Sequence, residues 1–336
     1  MSEALHETAR TMVSRPRGIL AADESIGTMS KRLEKVGVPA TAENRRAYRA
    51  MLMTTPDLQS GISGVILADE TFNQQLDDGQ PFPDAVTALG ILPGIKVDTG
   101  AKPLAGSPGE TVTEGLDGLR DRLTDYAARG ARFAKWRAVI TIADGLPTRR
   151  AVRANAHALA RYAALCQEAG VVPIVEPEVL MDGNHSMARC AAVTSTMLEQ
   201  LVAELDEAGV DLAGTVLKPN MVVPGTTSGE QASPDEIAEQ TVATLRAVLP
   251  ESLAGVAFLS GGQSPEVATA NLAAMQQHDT PWPLTFSFGR ALVDPALTAW
   301  SVDPANRVAE GQQALADRVA GNSAAVAGRA PASAST

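Results

Sequence analysis

The chain has 336 residues, 45% of them hydrophobic and 20% charged, which suits one large α/β domain or two ordinary ones. Its formal net charge of −11 argues against general nucleic-acid binding, because that function needs a basic surface. A small anionic substrate is not excluded, since a few bases gathered in a cleft can outweigh a distant acidic surface.

Short apolar runs recur along the chain and are separated by segments with helical periodicity. Runs of this length, mostly without polar alternation, are typical of parallel strands that are covered on both faces. The eight runs cover residues 17–23, 64–70, 94–98, 133–139, 172–178, 214–220, 255–261 and 283–289.

The segments between the runs carry helix signals. In the segment 116–130, leucines recur at spacings of three and four, and Gly130 is a C-cap candidate. Another segment begins with Ser233 as N-cap, followed by Pro234 and Glu236 in the pattern of a capping box. A Ser-Pro start recurs at residues 264–265.

Eight strands, each followed by a helical segment, predict a single-domain (β/α)8 TIM barrel. We assign it to residues 1–318, with an N-terminal helical extension, and expect residues 319–336 to form a flexible low-complexity tail, because they are small and polar. A doubly wound open sheet is the alternative. The lack of G-x-G-x-x-G after the first strand weakens only its dinucleotide-binding version.

The cysteines and the N-terminal sequence favour the cytoplasm. Cys166 and Cys190 have no metal-ligand spacing and lie in alanine-rich stretches, so we expect buried reduced thiols. The first ten residues contain neither an apolar run nor a cleavage signal. No stretch approaches the ~18 apolar residues of a membrane span, so we expect no membrane partner.

Charged residues lie at the carboxyl ends of the predicted strands, where a barrel of this kind has its active site. Three pairs have i, i+2 spacing, which points both members to the same face of their strand. The pairs are Lys96 with Asp98, Lys135 with Arg137, and Glu176 with Glu178. We expect them to converge on one pocket, although a buried structural network of ion pairs is the alternative.

Several basic residues near these ends indicate a phosphorylated ligand. After the seventh run, Gly261 and Gly262 have backbone N–H groups that an anion can approach, and Arg290 follows the eighth run. The loops after strands seven and eight are a recurrent phosphate position in such barrels. Lys96, Lys135, Arg137 and Lys218 supply further positive charge.

Lys218 ends an apolar strand, and Pro219 fixes the backbone after it. A lysine beside other ammonium groups and partly removed from water should have a lowered pKa, because both effects disfavour its charged form. The neutral amine can then form a Schiff base with a carbonyl. A structural salt bridge to Glu176 or Glu178 needs the same neighbours, so both interpretations stay open at this point.

Metal catalysis is the main chemical alternative. The four histidines show neither H-x-H nor H-x-x-x-H spacing, and no cysteine cluster accompanies them. The loop DGNHS at residues 182–186 offers one ligand at most. We therefore expect no metal and no cofactor.

Seven stretches in order make the chain resemble the class I fructose-bisphosphate aldolase family, from about residue 10 to about residue 315. The resemblance implies metal-independent cleavage of fructose 1,6-bisphosphate to dihydroxyacetone phosphate and glyceraldehyde 3-phosphate, in glycolysis or gluconeogenesis, by a homotetramer. The stretches are GILAADES, GIKVDTG, FAKWR, VPIVEPEVL, LKPNM, FLSGGQS and LTFSFGRAL.

The resemblance also implies site residues. Lys218 would form the Schiff base, Glu176 would act as acid and base, Asp23 would deprotonate the C4 hydroxyl, Lys135 would stabilise charge near the reacting carbons, and Glu178 completes the catalytic set. The residues expected at the C1 phosphate are Ser260, Gly261, Gly262 and Arg290, and those expected towards the other phosphate are Lys96, Ser25 and Arg32. Ser287, Gly289 and Arg137 are also expected to bind the substrate or its phosphates.

Two departures from the family pattern stand out. Phe288 replaces a usual tyrosine, which we expect to remove a hydroxyl near the phosphate loop. The chain ends in APASAST, without the C-terminal tyrosine with which animal members assist enamine protonation. The proton must then come from another group or from water. We therefore expect that about the last fifteen residues can be removed with little loss of cleavage.

Two other functions remain open at the level of sequence. The same lysine chemistry could serve a different sugar phosphate in another class I lyase or transferase, although two sets of phosphate-binding residues favour a bisphosphate. A barrel without catalysis could act as a binding protein. Asp23, Lys135, Glu176 and Lys218 are all present, which argues against that second alternative.

Overall fold

The computed structural model describes residues 2–328 and contains a closed barrel of eight parallel strands. The strands, in chain order, are β1 (Gly18–Ala22), β2 (Ile62–Leu67), β3 (Leu92–Lys96), β4 (Gly100–Pro103), β5 (Thr111–Glu114), β6 (Phe133–Ile140), β7 (Val172–Val179), β8 (Val216–Leu217), β9 (Gly255–Phe258) and β10 (Leu284–Phe288). Around the barrel their order is β1-β10-β9-β8-β7-β6-β3-β2, and β4 and β5 form a separate antiparallel hairpin. Each of the eight predicted runs overlaps one barrel strand, which confirms the predicted fold.

Helices follow the strands and cover the barrel. They are α1 (Ser2–Met12), α2 (Ile26–Lys35), α3 (Ala42–Met53), α4 (Asp69–Phe72), α5 (Phe82–Ala88), α6 (Leu119–Ala128), α7 (Arg149–Glu168), α8 (Met187–Glu207), α9 (Pro234–Val248), α10 (Pro265–Met275), α11 (Arg290–Ser301) and α12 (Val308–Val326). The predicted capping box is present at the start of α9, where Ser233 and Glu236 bond each other's backbone N–H. Ser264 caps α10 as predicted.

Two apolar clusters pack against the barrel strands, one outside the barrel and one inside it. The larger one lies between the strands and the helices, and it includes the rings of Trp136 and Tyr162. The smaller one fills the barrel interior. In it, α1 packs Leu5 and Met12 against residues that begin strands, such as Phe133, and so closes the amino-terminal end of the barrel.

Phe133 also explains a glycine in β3. A Cβ at Gly94 would lie 2.2 Å from the Phe133 ring, so only glycine leaves room for that ring inside the barrel.

The interior face changes from apolar to charged along the strands. Because side chains alternate across a strand, Phe133 and Lys135 share a face of β6, and Ile174 and Glu176 share a face of β7. The first member of each pair lies in the interior cluster, and the second follows towards the carboxyl end. The barrel therefore carries its charged groups at one end.

The predicted tail begins too early. Helix α12 extends to Val326, and Val319 and Val326 are buried, so residues 319–326 are not a flexible tail. The segment contains three alanines, the strongest helix former, and it also buries Asn322, Ser323 and Ala325. Residues 329–336, which complete the predicted tail, lie outside the described part of the chain.

Both cysteines are free and buried, as predicted. Among the residues that the structure describes, no helix has the length and apolar character needed to cross a membrane.

Candidate active site

A cavity of about 710 Å³ lies at the charged end of the barrel. Nearly all of the predicted site residues line it, and Gly262 is the exception. Gly262 lies beside the lining residue Arg290, since a Cβ added to Gly262 would be 3.4 Å from a terminal nitrogen of Arg290. The predicted residues that line the cavity are Asp23, Ser25, Arg32, Lys96, Lys135, Arg137, Glu176, Glu178, Lys218, Ser260, Gly261, Ser287, Gly289 and Arg290.

Four buried charged side chains form a continuous chain of contacts on the cavity floor. Lys135 Nζ lies 2.8 Å from Asp23 Oδ2 and 2.9 Å from Glu176 Oε2. The other oxygen of Glu176, Oε1, lies 3.2 Å from Lys218 Nζ. Two carboxylates thus alternate with two ammonium groups, so that each buried charge has an opposite partner.

This arrangement shifts the pKa values of the two lysines in opposite directions. Burial lowers the pKa of Lys218, and the nearby charge of Lys135 lowers it further against the attraction of Glu176. For Lys135, burial also acts downward, but Asp23 and Glu176 outweigh it and raise the pKa. Lys218 is therefore the lysine that can supply a neutral amine, and Lys135 is the one that stays charged.

Both carboxyl groups are held in the ionised form. Burial acts to raise the pKa of Asp23, but Lys135 and Lys218 outweigh it and lower the pKa to about 2. The same balance, with burial opposed by the same two lysines, lowers the pKa of Glu176. Two carboxylates are consequently available as proton acceptors beside the amine of Lys218.

Asp98 organises a second group of charges in the cavity. Its Oδ1 lies 2.6 Å from Lys96 Nζ, and its Oδ2 accepts a hydrogen bond from the backbone N–H of Arg137 at 3.2 Å. The Arg137 side chain in turn pairs with Glu178. This places two partly exposed cations, Lys96 and Arg137, on one side of the cavity.

The opposite side offers backbone groups to an anion. Gly261 and Gly262 have φ values of +55° and +78°, a left-handed conformation that glycine adopts without strain. The helix α11 begins at Arg290, so its free N–H groups and its dipole favour a negative charge there. Within the described residues, the buried hydroxyl of Ser287 has no hydrogen-bond partner, which leaves it free for a ligand.

Arg32 is less available for binding a phosphate than its sequence position suggests, because it is already paired with carboxylates. Its guanidinium pairs with Glu24 and with Asp294, the latter at 2.6 Å, and Glu24 also pairs with the buried Arg49 at 2.6 Å. Two carboxylates therefore share the charge of Arg32 although it lines the cavity. Ser25, expected beside it at a phosphate, also caps α2 through the Thr28 N–H at 3.3 Å.

The ring of Phe288 lies outside the cavity. Alternation along β10 turns Ser287 inward and Phe288 outward, where its ring packs at 5.6 Å from that of Phe286 and is fully buried. The expectation that phenylalanine removes a hydroxyl from the phosphate region is therefore wrong, because a hydroxyl on this ring would point into the outer core.

Within residues 2–328, no three histidine, cysteine, aspartate or glutamate side chains come close enough together to hold a metal ion. His185, in the loop after β7, is buried, and neither of its ring nitrogens has a hydrogen-bond partner within that range.

Comparison with known proteins links this geometry to one family. The family model described as fructose-bisphosphate aldolase class-I matches residues 4–336. A probable class 1 fructose-bisphosphate aldolase of Xylella fastidiosa strain Temecula1 is 55% identical over 97% of this chain and 98% of its own. The cytosolic fructose-bisphosphate aldolase 6 of Arabidopsis thaliana is 51% identical over 93% of this chain and 87% of its own.

A solved structure matches the fold. Fructose-bisphosphate aldolase of Plasmodium falciparum, crystallised with TRAP and a small-molecule inhibitor, is 43% identical with a TM-score of 0.96. The match covers 98% of this chain and 95% of the other.

Proposed function

The chain belongs to the class I fructose-bisphosphate aldolase family, and from this premise we propose that Lys218 is its Schiff-base lysine. The protein is a class I fructose-bisphosphate aldolase, a metal-independent lyase of glycolysis. The observation that carries the proposal is the buried ammonium of Lys218, which has a lowered pKa, lines the cavity and lies 3.2 Å from Glu176.

The two sides of the cavity bind the two phosphates of fructose 1,6-bisphosphate. The C1 phosphate lies against Ser260, Gly261, Gly262, Ser287, Gly289 and Arg290, where the glycine loop and the start of α11 provide N–H donors. The second phosphate lies towards Lys96, Ser25, Arg32 and Arg137. Binding at both ends holds the ketone carbon over Lys218.

Imine formation begins with the neutral amine of Lys218. Its nitrogen adds to C2 of the ketose, and the carbonyl oxygen becomes the hydroxyl of a carbinolamine. Glu176, within reach of the amine, relays the proton that lets this hydroxyl leave as water. The product is a protonated imine, which draws electrons from C3.

Cleavage follows at the C3–C4 bond. Asp23, whose low pKa keeps it ionised, takes the proton of the C4 hydroxyl. As the aldehyde forms, the electrons of the C3–C4 bond pass to the iminium and give an enamine, and glyceraldehyde 3-phosphate leaves. Lys135 stays cationic between the two carboxylates and stabilises the charge that develops there.

The second half-reaction releases the other product. The enamine takes a proton at C3, and water hydrolyses the resulting imine to dihydroxyacetone phosphate and free Lys218.

Glu178 belongs to the proposed catalytic set, and its pairing with Arg137 fixes that cation at the cavity.

Location and assembly are also proposals. Relatives in Arabidopsis thaliana and spinach are described as cytosolic and cytoplasmic, which supports a cytoplasmic enzyme. The family resemblance supports a homotetramer.

Turnover of Lys218→Ala tests the proposal. The variant should lose cleavage of fructose 1,6-bisphosphate while keeping the melting temperature within a few degrees of the wild type. Wild-type turnover in a folded Lys218→Ala protein would refute the assignment.

A further inference from the structure

Asn220, two residues after Lys218, ties three parts of the barrel together. Its side chain is buried and does not line the cavity. The amide oxygen accepts a hydrogen bond from the backbone N–H of Val179 at 3.1 Å. The amide nitrogen donates to Thr194 Oγ1 of α8 at 3.2 Å and to the backbone carbonyl of Met221 at 3.1 Å. Asn220 therefore connects β8, β7 and α8.

The strands here need such a link. The parallel pairing of β7 and β8 includes only Ile174 with Val216 and Val175 with Leu217. The last backbone hydrogen bond runs from Lys218 N–H to the Val175 carbonyl at 2.8 Å. The next β7 residue that faces β8 is Pro177, which has no N–H to continue the ladder, whereas Pro219 faces β9, where its carbonyl accepts a hydrogen bond from the Leu259 N–H. The strands would otherwise be free to separate where they carry Glu176 and Lys218.

We propose that Asn220 is a positioning residue that sets the distance between Lys218 and Glu176. Its amide replaces the missing rung of the ladder and holds the carboxyl end of β7 against the segment that carries the lysine. The inference rests on the proposed function of Lys218. It goes beyond that function because, among the described residues, Asn220 does not line the cavity and its side-chain hydrogen bonds go to other residues than Lys218 and Glu176.

The phosphate-binding residues come from other elements, so the effects on binding and on catalysis should separate. Ser260 and Gly261 follow β9, and Arg290 begins α11. Without the amide, Lys218 and Glu176 should drift apart while the phosphates still bind. Misplacement of reacting groups by about 1 Å can cost about 100-fold in rate.

The experiment compares Asn220→Ala with a control variant, Asn322→Ala, which also loses a buried amide. Asn322 lies on α12, outside the active site, and its amide oxygen accepts a hydrogen bond from the Thr269 hydroxyl. For Asn220→Ala, kcat for fructose 1,6-bisphosphate should fall about 10- to 100-fold, and KM should change less than about threefold. Asn322→Ala should lower the melting temperature and keep kcat. A kcat for Asn220→Ala within about twofold of wild type, or equal losses in both variants, would overturn the inference.

A second variant keeps the test decisive if Asn220→Ala does not fold. Asn220→Asp keeps nearly the same side-chain shape. A protonated carboxyl group both donates and accepts hydrogen bonds, as the amide does, whereas a carboxylate only accepts them. The kcat of this variant relative to wild type should therefore rise as the pH falls. A constant ratio would overturn the inference.

Borohydride trapping of dihydroxyacetone phosphate on the wild-type protein separates the two proposals. If the wild-type protein is trapped at Lys218 but the Asn220 variants keep the wild-type kcat, only the role of Asn220 is refuted. If the wild-type protein gives no trapped adduct, the proposed function is refuted.

Discussion

Lys135 and Lys218 contact the two oxygens of one carboxylate, that of Glu176, at 2.9 Å and 3.2 Å. The two ammonium groups are therefore close neighbours, and each disfavours protonation of the other. Lys135 has a second carboxylate, Asp23, whereas Glu176 is the one carboxylate within 4 Å of Lys218 among the described residues. This asymmetry explains why the pKa of Lys135 rises while that of Lys218 falls.

Removal of Lys135 should shift the pH dependence of imine formation. Its charge lowers the pKa of Lys218, so Lys135→Met should raise that pKa. The neutral amine then exists only at higher pH, and the acid limb of the rate of imine formation should move to higher pH. The loss of charge stabilisation should also lower kcat about 100-fold or more.

The measurement is the rate of adduct formation with dihydroxyacetone phosphate as a function of pH. Lys102→Met is the matched control, because Lys102 is exposed on the hairpin and does not line the cavity. An acid limb that stays in place in Lys135→Met, or moves to lower pH, would contradict the account.

The two phosphate-binding sides of the cavity should be distinguishable by comparing fructose 1,6-bisphosphate with fructose 1-phosphate as substrates. Lys96→Met should lower kcat/KM for fructose 1,6-bisphosphate about 10- to 100-fold, because a charged hydrogen bond to the second phosphate is lost. The same variant should change kcat/KM for fructose 1-phosphate less than about twofold. Arg290→Met, on the C1 side, should impair both substrates. Equal losses for both substrates in Lys96→Met would reject the assignment of its side.

Much of this site could be predicted from residues near one another in the sequence. The i, i+2 pairs at strand ends follow from the two-residue period of a strand, and the structure brings them to one cavity. The ion pairs of Arg32 with Glu24 and Asp294 could not be predicted, because Asp294 is 262 positions away in the chain. The link from Asn220 to Thr194 depends in the same way on how α8 packs, which no local pattern specifies.

The end of the chain illustrates the same limit and changes a prediction. Removal of about fifteen residues would cut into α12, in which Asn322, Ala325 and Val326 are buried. We now expect a chain that ends at residue 328 to keep both its turnover and its melting temperature. A chain that ends at residue 321 should melt more than about 3 °C lower.

Steady-state kinetics and thermal unfolding of both truncated proteins check this prediction. A large fall in turnover on removal of residues 329–336 alone would mean that this terminal segment takes part in catalysis.

The most direct test of the central claim is borohydride reduction of the wild-type protein with dihydroxyacetone phosphate, followed by mass analysis of its peptides. The account predicts one stable adduct, on the peptide that contains Lys218, and no adduct in Lys218→Ala. An adduct on Lys135 or Lys96, or full turnover without any trapped adduct, would contradict it.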